Sequence, residues 1–158
     1  MTSGNVEIRP YRPGDEAAVV RAWNRAMWCD PISLETWRAK ILLDPNFAPE
    51  TCLVAALDGR PVGYALALTR QVPFFNEGLD PALAWISAFG VDPDVQRQGI
   101  GGRLLDRTLD QLRDLGRSRV LLGPYVPRSR SGFRPLPASR HASSSVRCGC
   151  QGRHPAVG

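Results

Sequence analysis

The order of apolar and polar residues predicts a strand and an amphipathic helix at the start of the chain. Residues 6–10, Val-Glu-Ile-Arg-Pro, alternate between apolar and polar positions, which is typical of a short strand. Asp15 follows a Pro-Gly turn and is the expected N-cap of the helix. Four apolar residues then recur at helical spacing: Val19, Val20, Trp23 and Met27.

The next segment predicts a second helix and then a hairpin. The helix is expected to begin after Ser33, whose hydroxyl can cap it, and to end at Asp44-Pro45. Its apolar residues are Leu34, Trp37 and Ile41. Two apolar runs follow at residues 51–57 and 61–68, joined by Asp58-Gly59. This dipeptide predicts a hairpin, because the favoured hairpin turns need positive φ.

The central stretch predicts a buried strand, a glycine-rich turn and a long helix. The strand is the apolar run from Leu83 to Val91, which lies between Pro81 and Pro93. The helix extends from Ile100 to Leu115, and Gly116 is its expected C-terminal stop. Its apolar stripe consists of Ile100, Leu104, Leu105, Thr108, Leu109, Leu112 and Leu115.

Three glycines, Gly99, Gly101 and Gly102, stand where better helix formers would stabilise the turn and the first helical residues. Glycine lets a ligand approach backbone amides without meeting a Cβ. The first N–H groups of a helix lack intrahelical acceptors and carry partial positive charge, so a diphosphate can bind them. Arg97 would add a charge-assisted contact. The alternative is a strand–helix corner whose glycines only permit tight packing.

Two other phosphate-binding motifs are excluded by the residues present. A P-loop requires Gly-Lys-Ser/Thr, but Lys40 is the only lysine and lies elsewhere. A dinucleotide-binding Gly-x-Gly-x-x-Gly motif that began at Gly99 would need glycine where the chain has Leu104.

The turn and its lead-in resemble a known family signature. Gln96-Arg-Gln-Gly-Ile-Gly101, preceded by Phe89-Gly-Val-Asp-Pro93, resembles the Gln/Arg-x-x-Gly-x-Gly/Ala motif of the GNAT superfamily of acyl-CoA-dependent N-acyltransferases. The leucine-rich helix that follows and the predicted order of elements over residues 6–122 are also similar to that family. The resemblance implies the GNAT fold, an α/β fold with a mixed sheet, here incomplete after its fifth strand at residues 119–122.

The resemblance also implies acetyl-CoA as co-substrate and transfer of its acetyl group to a primary amine, which attacks directly in a ternary complex. Amides at the strand end would bond the pantetheine and the acyl carbonyl, whereas amides of the turn would hold the diphosphate. The expected CoA-binding residues are Phe89, Gly90, Val91, Gln96, Arg97, Gln98, Gly99, Ile100, Gly101 and Gly102.

The position of the acceptor amine follows only from the family. In similar proteins the acceptor approaches near the loop that corresponds to residues 71–81 and near the helix junction, here around Trp28. Phe74 and Phe75 either line an apolar acceptor pocket or cover the edge of the sheet.

Amine acetylation needs a base, or an ordered water, to deprotonate an ammonium group, and an acid helps a thiolate to leave. The candidates near the reaction centre are Glu77, Asp80 and Ser87, with ordinary solvated loop groups as the alternative. The tyrosine that often protonates the thiolate in the family usually follows the fifth strand, and Tyr125 lies too soon after that strand. The catalytic residues are therefore unassigned.

Composition predicts a soluble globular protein whose first two cysteines are buried thiols. A chain of 158 residues with 43% hydrophobic content suffices for a globular domain. No run of about 18 apolar residues and no signal peptide occurs, so a cytoplasmic location is expected. Cys29 and Cys52 lie in core-like contexts and are expected to be buried thiols, with a disulfide as the alternative. No metal is expected, and the family is compatible with a homodimer.

Charge is divided unevenly along the chain. All 15 acidic residues lie at or before Asp114, whereas eight arginines and no acid follow. Residues 128–158 have no helical or strand period and are rich in Arg, Ser, Pro and Gly, which predicts a disordered tail. We therefore predict a GNAT domain at residues 1–127 that lacks the closing helix and strands of the family. We hypothesise that the tail is not native to it, for example because it is translated out of frame.

Two functional interpretations of the tail are open. Its arginines could bind nucleic acid non-specifically, although Phe133 is its only interleaved aromatic residue. Cys148 and Cys150 with His141 and His154 could bind zinc, but their spacing fits none of the common patterns. Three hypotheses result: an N-acetyltransferase, a defective GNAT-like fragment that binds CoA weakly or not at all, and an arginine-tailed nucleic-acid-binding protein.

Overall fold

A computed structural model describes residues 4–73 and 78–123 of the chain. The strands are β1 (Val6–Pro10), β2 (Cys52–Leu57), β3 (Arg60–Leu68), β4 (Leu83–Val91) and β5 (Arg119–Leu122). The α-helices are α1 (Glu16–Ala26), α2 (Leu34–Trp37) and α3 (Ile100–Asp114). The sheet order is β1-β2-β3-β4-β5, antiparallel except for the parallel pair of β4 and β5. This mixed sheet confirms the predicted fold class.

The turn between β2 and β3 is the predicted hairpin. Asp58 and Gly59 both have positive φ, at 49° and 81°. Leu57 and Arg60, on either side of the turn, are paired across the two strands. The Asp58 carboxylate also accepts a hydrogen bond of 2.9 Å from the amide of Asn5, which holds the start of β1 against the hairpin.

The two faces of the sheet cover different cores. The face under α1 and α2 is aromatic: Trp23 stacks on Tyr64 with ring centroids 5.3 Å apart, and Trp37 meets both Trp23 and Tyr11 at 6.2 Å. Such stacked and tilted pairs stabilise beyond the area they bury. The face under α3 is lined by smaller aliphatic residues: Leu53, Ala55, Val62, Ala65, Ala67, Ala84 and Ile86.

Ser87 is an extra residue in β4. Its neighbours Ile86 and Ala88 pair with consecutive residues of β3, so the ladder has a β-bulge at this point. Ile86 belongs to the core under α3, and so do Phe89 and Val91 beyond the bulge. If residues 86–91 formed a regular strand without the bulge, the alternation of side chains would turn Phe89 and Val91 to the face opposite Ile86.

α3 has the predicted stop and a slightly shorter buried stripe than predicted. Gly116 has a φ of 74°, and the amide of Arg117 donates to the carbonyl of Leu112 at 2.9 Å, as in a Schellman motif. Leu115 lies in this cap and its side chain is 45% exposed, so its assignment to the stripe is wrong. The buried residues are Ile100, Leu104, Thr108 and Leu112.

Asp15 precedes α1 but does not cap it through its side chain, contrary to the prediction. Its two carboxylate oxygens accept from the guanidinium of Arg9 at 2.7 and 2.8 Å, and one also accepts from the amide of Arg12 at 2.8 Å. Burial alone would raise the pKa of Asp15, but these hydrogen bonds outweigh it and hold the pKa below its ordinary value of 3.8.

Cys52 and Cys29 differ in burial. Cys52 is fully buried at the start of β2, and burial raises the pKa of its thiol to about 12. Cys29 is exposed, so the prediction of a buried thiol there is wrong. The reason is that α1 ends at Ala26 and the chain crosses the surface before α2 begins at Leu34.

Some predicted features lie outside the described residues. They are the disordered tail at 128–158, the domain boundary at 127, and the roles considered for Phe74, Phe75, Glu77 and Tyr125; all stay predictions. Within residues 4–73 and 78–123, no helix is long and apolar enough to cross a bilayer. The same residues hold no group of three or more His, Cys, Asp or Glu side chains placed to bind a metal ion.

Candidate functional site

β4 and β5 separate halfway along β4. Their pairing runs from Leu83 opposite Arg119 to Ile86 opposite Leu122, and the amide of Gly123 donates to the carbonyl of Ile86 at 3.2 Å. Beyond this point the structure describes no strand beside residues 87–91 on the side away from β3. We call this side of residues 87–91 the open edge of β4. It begins at the bulge, since Ser87 follows Ile86 directly.

Alternation along β4 determines which amides lie on the open edge. The amide of Asp92 donates to the carbonyl of Val62 at 2.8 Å and therefore faces β3. Successive amides of a strand point to opposite sides, so those of Val91 and Phe89 face the open edge. The carbonyl of Val91 agrees with this direction, because it accepts from the side chain of Gln96 instead of from β3.

The amide of Gly90 points to the side of β4 opposite to the amides of Phe89 and Val91. It faces β3, where Gly90 is opposite Tyr64. A Cβ at this position would lie 2.9 Å from the Cβ of Ala26 and 3.0 Å from the ring and hydroxyl of Tyr64. Glycine is thus required here by the close approach of α1 and β3. The predicted amide contacts to an acyl group remain reasonable for Phe89 and Val91 and are disfavoured for Gly90.

We call residues 96–102, between the strand end and the first turn of α3, the cradle. Arg97 and Gly99 both have positive φ, at 63° and 78°. The amide of Arg103 makes the first bond of the helix, to the carbonyl of Gly99 at 3.1 Å. The amides of Ile100, Gly101 and Gly102 precede it and have no intrahelical acceptor by position. Together with the helix dipole they form a group of donors suited to an anion.

The surroundings of the glycines bear on the two interpretations of the turn. Among the described residues, and apart from its chain neighbours and the backbone of its own helix, a Cβ at Gly99 or Gly102 would meet no atom within 4 Å, and one at Gly101 would lie 3.7 Å from Val91, an ordinary contact. Tight packing therefore does not require these glycines, although Gly99 is favoured by its positive φ. At Gly101 and Gly102 no side chain of the residue itself covers the backbone. This favours the interpretation in which a ligand approaches the amides.

The remaining cradle side chains have separate roles. Gln96 donates from Nε2 to the carbonyl of Val91 at 2.8 Å, so it joins the cradle to the strand end. Arg97 and Gln98 are exposed. Arg97 is a non-glycine residue with positive φ, a conformation that is uncommon and concentrated at binding sites. Arg103, one residue after the cradle, donates to the carbonyl of Val6 at 3.0 Å.

An ion-pair cluster that the sequence did not indicate supports the strand end. Arg25 of α1 pairs through Nε with Asp92 at 3.0 Å and through Nη2 with Asp94 at 2.7 Å. Asp92 also accepts from the amide of Asp94 at 3.1 Å. Helical periodicity places Arg25 on the polar side of α1. It does not predict which residue, so distant in sequence, pairs with that side chain.

Asp80 and Ser87 are the described candidates for proton transfer. Asp80 forms an ion pair with Arg119 and accepts from the amide of Ala82 at 3.0 Å, so it supports the start of β4 and β5. Ser87 is half-buried in the bulge at the beginning of the open edge. Trp28, at the expected acceptor side, is 65% exposed. The structure thus brings Ser87 to the site, whereas Asp80 is engaged in structural contacts.

Comparison with known proteins gives the family. Residues 19–131 match the model described as the Acetyltransferase (GNAT) family. The chain belongs to the GNAT family. The match covers more than half of the chain and confirms the membership that the glycine motif and its lead-in predict.

Two curated relatives illustrate the similarity. The mycothiol acetyltransferase of Geodermatophilus obscurus is 34% identical over 151 residues, which cover 87% of this chain and 46% of that protein. The uncharacterized N-acetyltransferase YjhQ of Escherichia coli (strain K12) is 34% identical over 98 residues, 61% of this chain and 53% of that protein. This GNAT chain therefore spans about half the length of the curated relatives it matches.

Solved structures show the same fold. A GNAT family acetyltransferase from Brucella melitensis, solved in complex with acetyl-CoA, superposes with a TM-score of 0.56 at 25% identity over 85% of this chain and 97% of that chain. A GCN5-related N-acetyltransferase from Sphaerobacter thermophilus gives a TM-score of 0.62 at 24% identity over 84% of this chain and 40% of that chain.

Proposed function

We propose that this chain is an N-acetyltransferase that transfers the acetyl group of acetyl-CoA to a primary amine by direct attack in a ternary complex. The observation that carries the proposal is the continuity of two sets of backbone donors. The outward amides of Phe89 and Val91 lie on the open edge of β4, and the cradle follows within a few residues. An extended ligand with a diphosphate at one end and an acyl group at the other fits this order.

The diphosphate would bind the amides of Ile100, Gly101 and Gly102, with the helix dipole favouring its charge. Arg97, which is exposed beside these amides, would add a charge-assisted contact. Pantetheine would then extend along the open edge of β4 in place of a neighbouring strand. This placement requires that the edge stay unpaired, and the bulge at Ser87 marks the point where β4 and β5 separate.

The chemistry follows from the donors on the open edge. The amine nitrogen attacks the thioester carbonyl carbon, a C–N bond forms, and negative charge develops on the carbonyl oxygen. An amide of the edge, from Phe89 or Val91, would donate to that oxygen and stabilise it. The C–S bond then breaks, the CoA thiolate takes up one proton, and the nitrogen loses one.

The acceptor would reach the carbonyl from the α1 side, near the exposed ring of Trp28. Acceptors related to mycothiol are the first to screen, because a mycothiol acetyltransferase is the relative that matches 87% of the chain. The alternative to an active enzyme is a GNAT domain that binds CoA weakly or not at all.

Gly102 offers a direct test of the diphosphate site. Because a Cβ there meets no atom of another described part of the fold within 4 Å, Gly102→Asp and Gly102→Asn should both fold. The carboxylate of Gly102→Asp repels the diphosphate, and we expect the Kd for acetyl-CoA to rise at least about 30-fold, a loss of about 2 kcal/mol. A carboxylate in the first helical turn should not lower the melting temperature.

The measurement is calorimetric titration with acetyl-CoA, accompanied by thermal melts without ligand. Gly102→Asn is the matched control, because it has nearly the same shape without the charge, and its Kd should lie well below that of Gly102→Asp. Equal affinities of the two variants would refute a diphosphate at this position. If the unsubstituted chain does not bind acetyl-CoA, the result favours the alternative of a defective domain. Turnover would be established separately, by detecting acetylated amines with mass spectrometry.

A further inference from the structure

We propose that Arg25, in the last turn of α1, is a positioning residue for the acyl-CoA site, an inference that rests on the proposed function. Its guanidinium bonds two carboxylates of the segment between β4 and the cradle, Asp92 and Asp94, at 3.0 and 2.7 Å. These bonds connect the helix to the residue directly after Val91, whose amide faces the open edge.

The contact with Asp92 is the stronger of the two anchors. Asp92 is 7% exposed, and its Oδ1 accepts both from Arg25 and from the amide of Asp94. A carboxylate that is largely withdrawn from water needs such partners, because an unpaired buried charge is costly. Asp94 is mostly exposed, so its pair with Arg25 contributes less.

A second contact from the same helical turn reaches β4 on the other side of Val91. Ala26 packs so closely on Gly90 that a Cβ there would lie 2.9 Å from its own. The last turn of α1 thus holds both neighbours of Val91, Gly90 by packing and Asp92 by charge. The amide of Val91 takes its position from these two neighbours.

The same turn leads directly to the expected acceptor side. α1 ends at Ala26, and Trp28, two residues later, is 65% exposed. One helix end therefore contacts the acyl-CoA strand and continues into the segment that an amine would approach. Loss of Arg25 should release the strand end and weaken several backbone bonds to acetyl-CoA together, since a small displacement affects each of them.

The test compares Arg25→Ala with Arg21→Ala, a matched control from an exposed position of the same helix. We expect Arg25→Ala to raise the Kd and the KM for acetyl-CoA about tenfold, with a smaller change in kcat at saturating acetyl-CoA. Arg21→Ala should stay within about twofold of the unsubstituted chain. Arg25→Lys should recover part of the affinity, because an ammonium can reach one carboxylate but lacks the fork of donors.

A merely structural role would lower the melting temperature of Arg25→Ala and leave Kd and KM unchanged at temperatures where the variant is folded. That result overturns the inference. If Arg25→Ala does not fold, Arg25→Gln gives the same comparison, because it loses the charge and the fork of donors but keeps one N–H group that can reach Asp92. An unchanged Kd for Arg25→Gln would also overturn the inference. If the unsubstituted chain does not bind acetyl-CoA, the proposed function fails before this inference is reached.

Discussion

The aromatic core under α1 and the cradle before α3 differ in whether side chains or backbone atoms form them. The core consists of side chains: Trp37 and Tyr64 are fully buried, and their rings pack against further rings at 5.3 to 6.2 Å. The cradle consists of backbone, with positive φ at Arg97 and Gly99 and donors without intrahelical acceptors. One region is closed by packing, whereas the other leaves its amides accessible.

This difference indicates that stability and ligand binding are separable in the chain. Substitutions in the aromatic core remove buried contacts and should lower the free energy of unfolding. Substitutions at Gly102 remove no packed contact and should change only binding. The two regions meet at Gly90, where α1 and β3 press on the strand whose outer edge would hold the acyl group.

Trp37→Ala should give the largest loss of stability. Trp37 is fully buried and contacts the rings of Tyr11 and Trp23, so its truncation leaves a large cavity. We expect the free energy of unfolding to fall by about 3–5 kcal/mol, measured by urea denaturation. Folded protein that remains should keep its affinity for acetyl-CoA.

Trp37→Phe is the control, because it keeps an aromatic ring and should lose much less stability. A loss below about 1 kcal/mol for Trp37→Ala would show that the site collapses around the smaller residue. A large loss of acetyl-CoA affinity in the folded variant would show that core and cradle are coupled, contrary to the separation argued above.

Local sequence patterns predicted the elements that form the site. The hairpin at Asp58-Gly59, strand β4 and the stop of α3 at Gly116 each depend on neighbouring residues, and the structure has all three. The cap at Ser33 is also local, and its hydroxyl accepts from the amide of Thr36 at 3.0 Å. The glycine motif predicted the family for the same reason.

Features that depend on distant pairing were missed. The bulge at Ser87 follows from the register of β4 against β3, which no run of apolar residues specifies. Arg25 is an ordinary polar helix residue until the fold places Asp92 beside it. Asp15 has the residue type and position of a cap, but its carboxylate bonds Arg9 because β1 lies close by.

Gly90→Ala should affect both regions and is expected to give the next largest effect. The new Cβ would lie 2.9 Å from that of Ala26 and 3.0 Å from Tyr64, so the strand or the helix must move. Overpacking of this kind costs about 1–3 kcal/mol. Because the displaced strand carries Phe89 and Val91, the Kd for acetyl-CoA should rise as well, which calorimetry can measure.

Ala26→Gly supplies the control for this steric explanation, since it removes the nearest atom. The double variant Gly90→Ala with Ala26→Gly should be more stable than the sum of the two single losses predicts. Strictly additive losses would contradict a direct contact between these positions.

Asp15→Asn should give the smallest effect, of about 1–2 kcal/mol at neutral pH, because it removes the charge from a largely buried ion pair with Arg9 but keeps an oxygen that can accept from the guanidinium. The pKa of Asp15 is lower in the folded chain than its ordinary value of 3.8. The stabilisation is therefore fully present above that value and is lost as pH falls through the folded pKa.

Urea unfolding between about pH 7 and pH 2 should show the stability difference between the unsubstituted chain and Asp15→Asn shrinking in the acid range. The matched control is Asp106→Asn, an exposed carboxylate on α3. The free energy of unfolding of Asp106→Asn should differ little from that of the unsubstituted chain at every pH of the series. Asp15 lies beside the aromatic core and takes no part in the cradle. The Kd for acetyl-CoA at neutral pH should therefore be the same for Asp15→Asn and for the unsubstituted chain. A changed Kd would show that the pair of Asp15 and Arg9 influences the binding site.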